Sequence, residues 1–350
     1  MCSGCSPVVI APVVISPAMI WLRRAFSGAI TEFVSWRWIL LINVPLGAAA
    51  IAIALRQLHD GSARSAGARL DLPGAVAGVL GIIALIYAIV ESRDRGWAQP
   101  ASLAALGVGV VALAVFMAVE TPFGRAPLFP LRLLRARAVS VGNALVALAA
   151  ACLTPMWYFL AFLMQDGLGY TPLQTGLGFL PHTMITMAVG ASVAPSLKRR
   201  LDARVLIAVG ATIVALGFGW QGLNASRLDG GYLEELLGPA ILISTGGGLL
   251  NTPITATVTS GVPRADAGAA SGLMNTAKQI GGALGLAVLV VVTSGPAGLA
   301  YDTALVAMAF ILVAVGLGAL LLPPTGGDTR FALAGRGMIT ARTTDGNVLA

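Results

Sequence analysis

Residues Ala101–Val119 read ASLAALGVGVVALAVFMAV, nineteen positions without a charged side chain. At 1.5 Å rise per residue a helix of that length covers about 28 Å, close to the hydrocarbon thickness of a bilayer. Eight further stretches have the same character: Trp38–Leu55, Leu72–Val90, Val139–Met164, Pro172–Leu197, Val205–Leu223, Leu236–Val262, Ala269–Thr293 and Ala304–Leu322. Across all nine, His182 and Lys278 are the only members of the Asp, Glu, His, Lys and Arg set. The pattern predicts an all-α polytopic membrane protein with nine spans. Composition agrees: 57% of residues are hydrophobic and 11% charged, where a soluble domain carries about a quarter charged. Small-residue pairs one helical turn apart, Gly78–Gly81, Gly268–Gly272 and Gly281–Gly285, predict close helix contacts. Pro45, Pro155, Pro181, Pro239 and Pro253 fall inside spans, which a lipid-embedded bundle tolerates.

The positive charges orient this bundle. Arg56, Arg64 and Arg69 fill the first gap, Arg125, Arg132, Arg135 and Arg137 the third, and Lys198, Arg199, Arg200 and Arg204 the fifth. With Arg264, Lys278, Arg330, Arg336 and Arg342, one side holds 16 of the 22 basic residues, and the opposite side holds Arg37, Arg93, Arg95 and Arg227. Basic loops stay cytoplasmic. The expectation is therefore a multi-pass protein of the plasma (inner) membrane with a cytoplasmic tail at 323–350. The net charge of +7 follows from this topology, and no soluble basic face exists to bind nucleic acid.

Enzyme chemistry finds no footing. Cys2 and Cys5 form a C-x-x-C without a second pair, so neither a metal site nor redox chemistry is expected. Cys152 reads as a small packing residue. The chain has two histidines far apart and no paired carboxylates within a span, so no catalytic residue, metal or cofactor is expected. Met1–Leu22 is apolar but broken by Pro7, Pro12 and Pro17 and ends at Arg23-Arg24. No basic region precedes it, as a signal peptide would require. It reads as a damaged or mistranslated helix.

Three separated stretches carry a family resemblance. Ser27–Gly47 (SGAITEFVSWRWILLINVPLG) resembles the junction of spans five and six in the major facilitator superfamily, within its fourteen-span drug:proton antiporters of the QacA/EmrB type. Leu128-Phe129 with Gln165–Leu177 (QDGLGYTPLQTGL) resembles the entry to span nine and the loop into span ten. Gly246-Gly247-Gly248 with Ala267–Gly285 (AGAASGLMNTAKQIGGALG) resembles spans twelve and thirteen. The similarity runs from residue 27 to about 322.

The resemblance implies a partial major facilitator fold, truncated at its N-terminus. Residues 1–37 become a divergent remnant of span five, 38–58 the last helix of the N-terminal bundle and 72–120 a central two-helix hairpin. Residues 125–322 become a complete C-terminal six-helix bundle. Arg23-Arg24-Ala25-Phe26-Ser27-Gly28 departs from the family's Gly-Pro-x-x-Gly-Gly, and only the last glycine remains. In the loop between Gly190 and Gly210, Arg199-Arg200 stand where the family often has Asp-Arg, with Asp202 displaced. Arg199, Arg200 and Arg204 are the cytoplasmic gate candidates.

The implied activity is proton-coupled efflux of hydrophobic or cationic small molecules. Proton coupling needs a titratable group in the membrane, and His182 is the one near the middle of a span. Its expected role is structural, a neutral ring bonded to neighbouring helix backbone, with proton or substrate contact as the alternative. Lys278 is expected to snorkel toward the cytoplasmic end of its span. Met156, Trp157, Tyr158 and Phe162, with Phe159 and Met164, form an aromatic and sulfur-rich patch suited either to a multidrug pocket or to an interfacial belt. Asn251 joins the substrate-pathway candidates, with Met184, Met187 and Thr252 as weaker ones. A metabolite carrier of the same fold and an inactive fragment remain the alternative readings.

Overall fold

The computed structural model describes residues 41, 43–57, 72–96, 98–119, 131–225, 232–260, 262–263, 266–295 and 298–323. Twelve α-helices make up nearly all of them: α1 (Asn43–Gln57), α2 (Leu72–Arg95), α3 (Pro100–Val119), α4 (Arg137–Leu153), α5 (Pro155–Phe162), α6 (Pro172–Gly178), α7 (Leu180–Ala188), α8 (Ala194–Lys198), α9 (Ala203–Asn224), α10 (Gly238–Ser260), α11 (Ala267–Thr293) and α12 (Tyr301–Ala319). A 3-10 turn at Leu131–Arg135 leads into α4, and π-helical turns occupy Leu163–Gly167, Val189–Val193 and Leu233–Leu237. A short antiparallel ladder pairs Ser294 with Leu299 and Gly295 with Gly298 between α11 and α12. The remnant at 1–37 and the tail beyond residue 323 lie outside the described residues.

Among the described residues, seven segments are long and apolar enough to cross a membrane: Gly74–Ser92, Pro100–Ala118, Arg137–Gly167, Pro172–Lys198, Ala203–Asn224, Ala267–Thr293 and Tyr301–Ala319. These are seven of the nine expected spans. Of the Trp38–Leu55 stretch, residues 38–40 and 42 lie outside the described residues, and Asn43–Leu55 falls within α1. Helix α10 has 23 residues and sufficient length, but its two serines, its threonines, four glycines and Asn251 dilute its apolar character. The reason is its position, since Ser244 and Thr257 are buried against other helices and not turned to lipid. The expected six-helix bundle is thus six packed segments, five of them apolar enough for a span.

Local sequence explains where the segments break. Pro155 opens α5 directly after Thr154, and Pro181 sits in the first turn of α7. Proline lacks an N–H and so interrupts the ladder of hydrogen bonds. The span at 137–167 and the span at 172–198 are therefore each assembled from shorter helices. Thr171 starts the second one with a capping box. Its Oγ1 accepts the Gln174 N–H at 3.3 Å, and its own N–H donates to Gln174 Oε1 at 2.9 Å. This satisfies two donors that a helix start otherwise leaves free. Gly169, just before it, has φ +66, a turn geometry that suits glycine.

Packing centres on α9, which lies against α10 and α12, while α4 contacts α11, α12 and α10. Helices α2 and α3 form a hairpin that reaches the bundle through α2 and α11. Phe159, Phe218, Ile243, Leu250, Met308 and Leu312 fill the core. Two of the three glycine pairs behave as expected. A Cβ on Gly81 would stand 2.8 Å from Leu113, and one on Gly281 or Gly285 would overlap the backbone of Ala147 or Ala151 on α4. The third pair is corrected: a Cβ on Gly268 or Gly272 would find nothing within 4 Å and meet no described neighbour. These two occupy the first turns of α11.

Candidate functional site

Three spans and the α10 helix enclose a cavity of about 450 Å³. Helices α4 and α5, with the residue between them, supply Thr154, Met156 and Trp157, α7 supplies His182 and Thr186, α10 supplies Ser244 and Asn251, and α11 supplies Met274, Asn275 and Lys278. Thr154 keeps helical dihedrals, so the helical spacing of Val146, Ala149, Ala150, Leu153 and Trp157 carries one wall from α4 into α5. Aliphatic side chains such as Val146, Leu153 and Ile254 complete the lining. An apolar wall with a few placed polar groups is the usual make-up of a small-molecule site, and the volume falls within the range of about 300–1,000 Å³ for such sites.

Trp157 and His182 set one end of it. Their rings meet edge to face with centroids 5.6 Å apart, and Trp157 also meets Phe179 at 5.1 Å. Such edge contacts suit the ring quadrupoles and hold both side chains in one rotamer. His182 is only 3% exposed, and its Nδ1 lies 2.8 Å from the Ser244 hydroxyl on α10. The structure thus gives it a side-chain partner, where the sequence alone suggests helix backbone. Asn251, two turns further along α10, donates from Nδ2 to the Gly247 carbonyl at 2.9 Å.

The structure sorts the candidates. Met156, Trp157, His182 and Asn251 line the cavity together. Tyr158 and Phe162 are not on this lining. Successive helix positions diverge by about 100°, and Tyr158 makes a tilted ring contact with Phe162 at 4.6 Å and an edge contact with Phe159 at 5.5 Å. Phe162 itself is exposed. Met184 is also exposed, and Thr252 donates to the Gly190 carbonyl at 3.2 Å, tying α10 to the π turn beside α7. Arg199 and Arg200 sit in the turn between α8 and α9, away from the cavity. Arg204 pairs with Asp202 at 3.5 Å, and Asp202 also accepts the Arg204 N–H at 3.2 Å as the cap of α9. The displaced Asp202 therefore has a local structural task.

Lys278 is exposed and borders the cavity. It lies eleven residues beyond Ala267 in a helix of 27, which puts it about 16 Å from the start of α11. That is nearer the middle than the end. Met274 and Asn275 lie four and three residues before Lys278, so all three share one helix face, and that face borders the cavity. The signal is present in the run MNTAK, whose polar members recur at a helical period. Among the described residues no three or more His, Cys, Asp or Glu side chains gather as a metal site would require.

Polar ties fix the connections beyond the cavity. Tyr301 Oη donates to Asp166 Oδ2 at 3.2 Å, Gln221 Nε2 to the Glu235 carbonyl at 2.7 Å, and Tyr232 Oη to the Gly178 carbonyl at 2.8 Å. Burial first, and then the neighbouring Tyr170, pushes the Tyr232 phenol above its ordinary range. It therefore keeps its donor proton at neutral pH.

Known proteins show the same pattern over most of this length. A cephamycin export protein of Amycolatopsis lactamdurans is 47% identical over 305 residues, covering 85% of this chain and 62% of that protein. A puromycin resistance protein of Streptomyces alboniger is 36% identical over 272 residues, with 77% and 53% covered. A tetracenomycin C resistance and export protein of Streptomyces glaucescens is 30% identical over 272 residues, with 78% and 50% covered. The chain thus spans between half and two thirds of the length of these relatives. The sequence profile of the Major Facilitator Superfamily matches residues 22–286. This chain belongs to the Major Facilitator Superfamily.

Proposed function

We propose that the chain is the cavity-bearing part of an exporter that moves antibiotic-like small molecules out across the plasma membrane in exchange for protons. The observation that carries this reading is the cavity between α4–α5, α7, α10 and α11, with Trp157, Met156 and Met274 on its wall and a size suited to one drug-like molecule. The names of the relatives, for export of or resistance to cephamycin, puromycin and tetracenomycin, supply the direction and the substrate type. The finer assignment is the fourteen-span antiporter branch, with α4–α12 as spans nine to fourteen. Arg199, Arg200 and Arg204 then act at the cytoplasmic gate. In such carriers two bundles rock around a site held between them.

Accumulation measurements in an efflux-deficient bacterium test this. The upstream spans of the Amycolatopsis relative would be fused ahead of Ser27, and cells would be loaded with a cephamycin. Accumulation should fall well below the vector control and recover when a protonophore is added. A fusion that reaches the membrane yet leaves accumulation of the cephamycin unchanged would sink the export reading.

The orientation is tested separately. With 16 of 22 basic residues on one side, the loop at Gly61 should be cytoplasmic and the loop at Gly230 external. In a cysteine-free background, Gly230→Cys should react with an impermeant thiol reagent in intact cells and Gly61→Cys should react only after lysis. Equal labelling of both in intact cells would overturn the proposed topology.

A further inference from the structure

We propose that the cavity selects an amphiphilic anion, a molecule with an apolar ring body and one carboxylate, whose charge is held at Lys278. The inference deepens the export reading by naming the substrate class, and it rests on that reading only for the fate of the bound molecule.

The cavity's charge is one-sided. Among the described residues that line it, Lys278 is the one charged side chain. Lys278 stands exposed on this lining, near the middle of an apolar helix of 27 residues, where a charged side chain is by default a functional one. A ligand carboxylate would pair with its ammonium, and the neutral side chains of Asn275 and Thr186 stand on the same lining. Met156 and Trp157 provide the apolar wall for the ring.

The same geometry rejects the opposite charge. A lipophilic cation entering this space would meet Lys278 with no carboxylate to compensate, and like-charge contact is an effective basis for discrimination. The wider expectation of hydrophobic or cationic substrates is therefore narrowed to the acids.

Binding to the purified 350-residue chain in lipid nanodiscs tests the proposal directly. Three probes share one ring system: 1-naphthylacetate, its methyl ester, and 1-naphthylmethylamine as the cation. By equilibrium dialysis at neutral pH the acid should bind at least about tenfold more tightly than either of the others, a difference readily resolved. Lys278→Gln should abolish that preference, and a melting profile matching the parent chain in the same nanodiscs reports that the variant is folded. Lys278→Arg should restore the preference, since it keeps the charge. Ester or amine bound as tightly as the acid, no binding of any probe, or an acid preference that survives Lys278→Gln would each overturn the inference. Failure of the export reading looks different: acids would bind with the stated preference, and the fused carrier would still leave drug accumulation unchanged.

Discussion

Gly281→Leu and Gly285→Leu are each expected to prevent the chain from reaching a folded, monodisperse state. Both glycines lie where α11 crosses α4, and a side chain at either would run into backbone. At Gly281 the nearest obstacles include the Ala147 carbonyl carbon at 2.7 Å, and at Gly285 the Ala151 Cβ at 2.7 Å. Neither obstacle is the far end of a flexible side chain, so the helices must separate to make room. Overpacking costs about 1–3 kcal/mol where side chains can yield, and here they cannot. A loss at or above the top of that range is a large share of the roughly 5–15 kcal/mol that holds a typical protein together. Gly268→Leu and Gly272→Leu on the same helix serve as controls, because a Cβ at either meets nothing within 4 Å. Gel filtration of detergent extracts, followed by thermal melting, separates the two pairs. The packing account fails if Gly281→Leu melts within a few degrees of the parent chain.

That contrast marks how far sequence reaches. Spacing alone makes Gly268–Gly272 and Gly281–Gly285 equivalent small-residue pairs, but spacing does not say which face of α11 has a neighbour. The span boundaries are legible because lipid admits few charges, and the helices begin and end within a few residues of the uncharged stretches. The exceptions are also physical. Helix α10 carries Ser244 and Thr257 because they are buried against other helices, and Asn251 because it borders the cavity. An average over the length of α10 hides that. The site is half legible. Trp157 and His182 stand out as rare residue types in apolar surroundings, and the structure places both on the cavity. Ser244, Thr186 and Asn275 cannot be found this way, since serine, threonine and asparagine are common in such helices and only the fold brings these together. Tyr158 groups with Trp157 by adjacency, and adjacency on a helix separates side chains. The general habit of lysines predicts that Lys278 snorkels, and spacing alone does not say that it also borders the cavity.

His182 is where structure and mechanism can be told apart. Its ring is held by the Ser244 hydroxyl at 2.8 Å and by edge contacts to Trp157 and Phe179, with centroids at 5.6 Å and 6.5 Å. His182→Ala removes the ring and leaves Ser244, itself 2% exposed, without that partner. Stranding a buried hydroxyl costs about 1–3 kcal/mol, and the vacated ring space adds a packing loss of similar order. His182→Ala should therefore lower the melting temperature of the chain strongly, while Ser244→Ala should lower it less. The double variant should fall short of the sum, because the two residues share one interaction. Strict additivity would show that the Ser244 bond contributes nothing to stability. His182→Gln keeps a polar side chain of comparable reach and should recover much of the loss. The transport assay then decides the role. If His182 is a packing residue, the fused carrier with His182→Gln should reach the membrane and still lower drug accumulation in a protonophore-sensitive way. If instead it arrives in normal amount, melts like the parent and moves nothing, the ring must be taking part in proton or substrate transfer, and the structural reading is wrong.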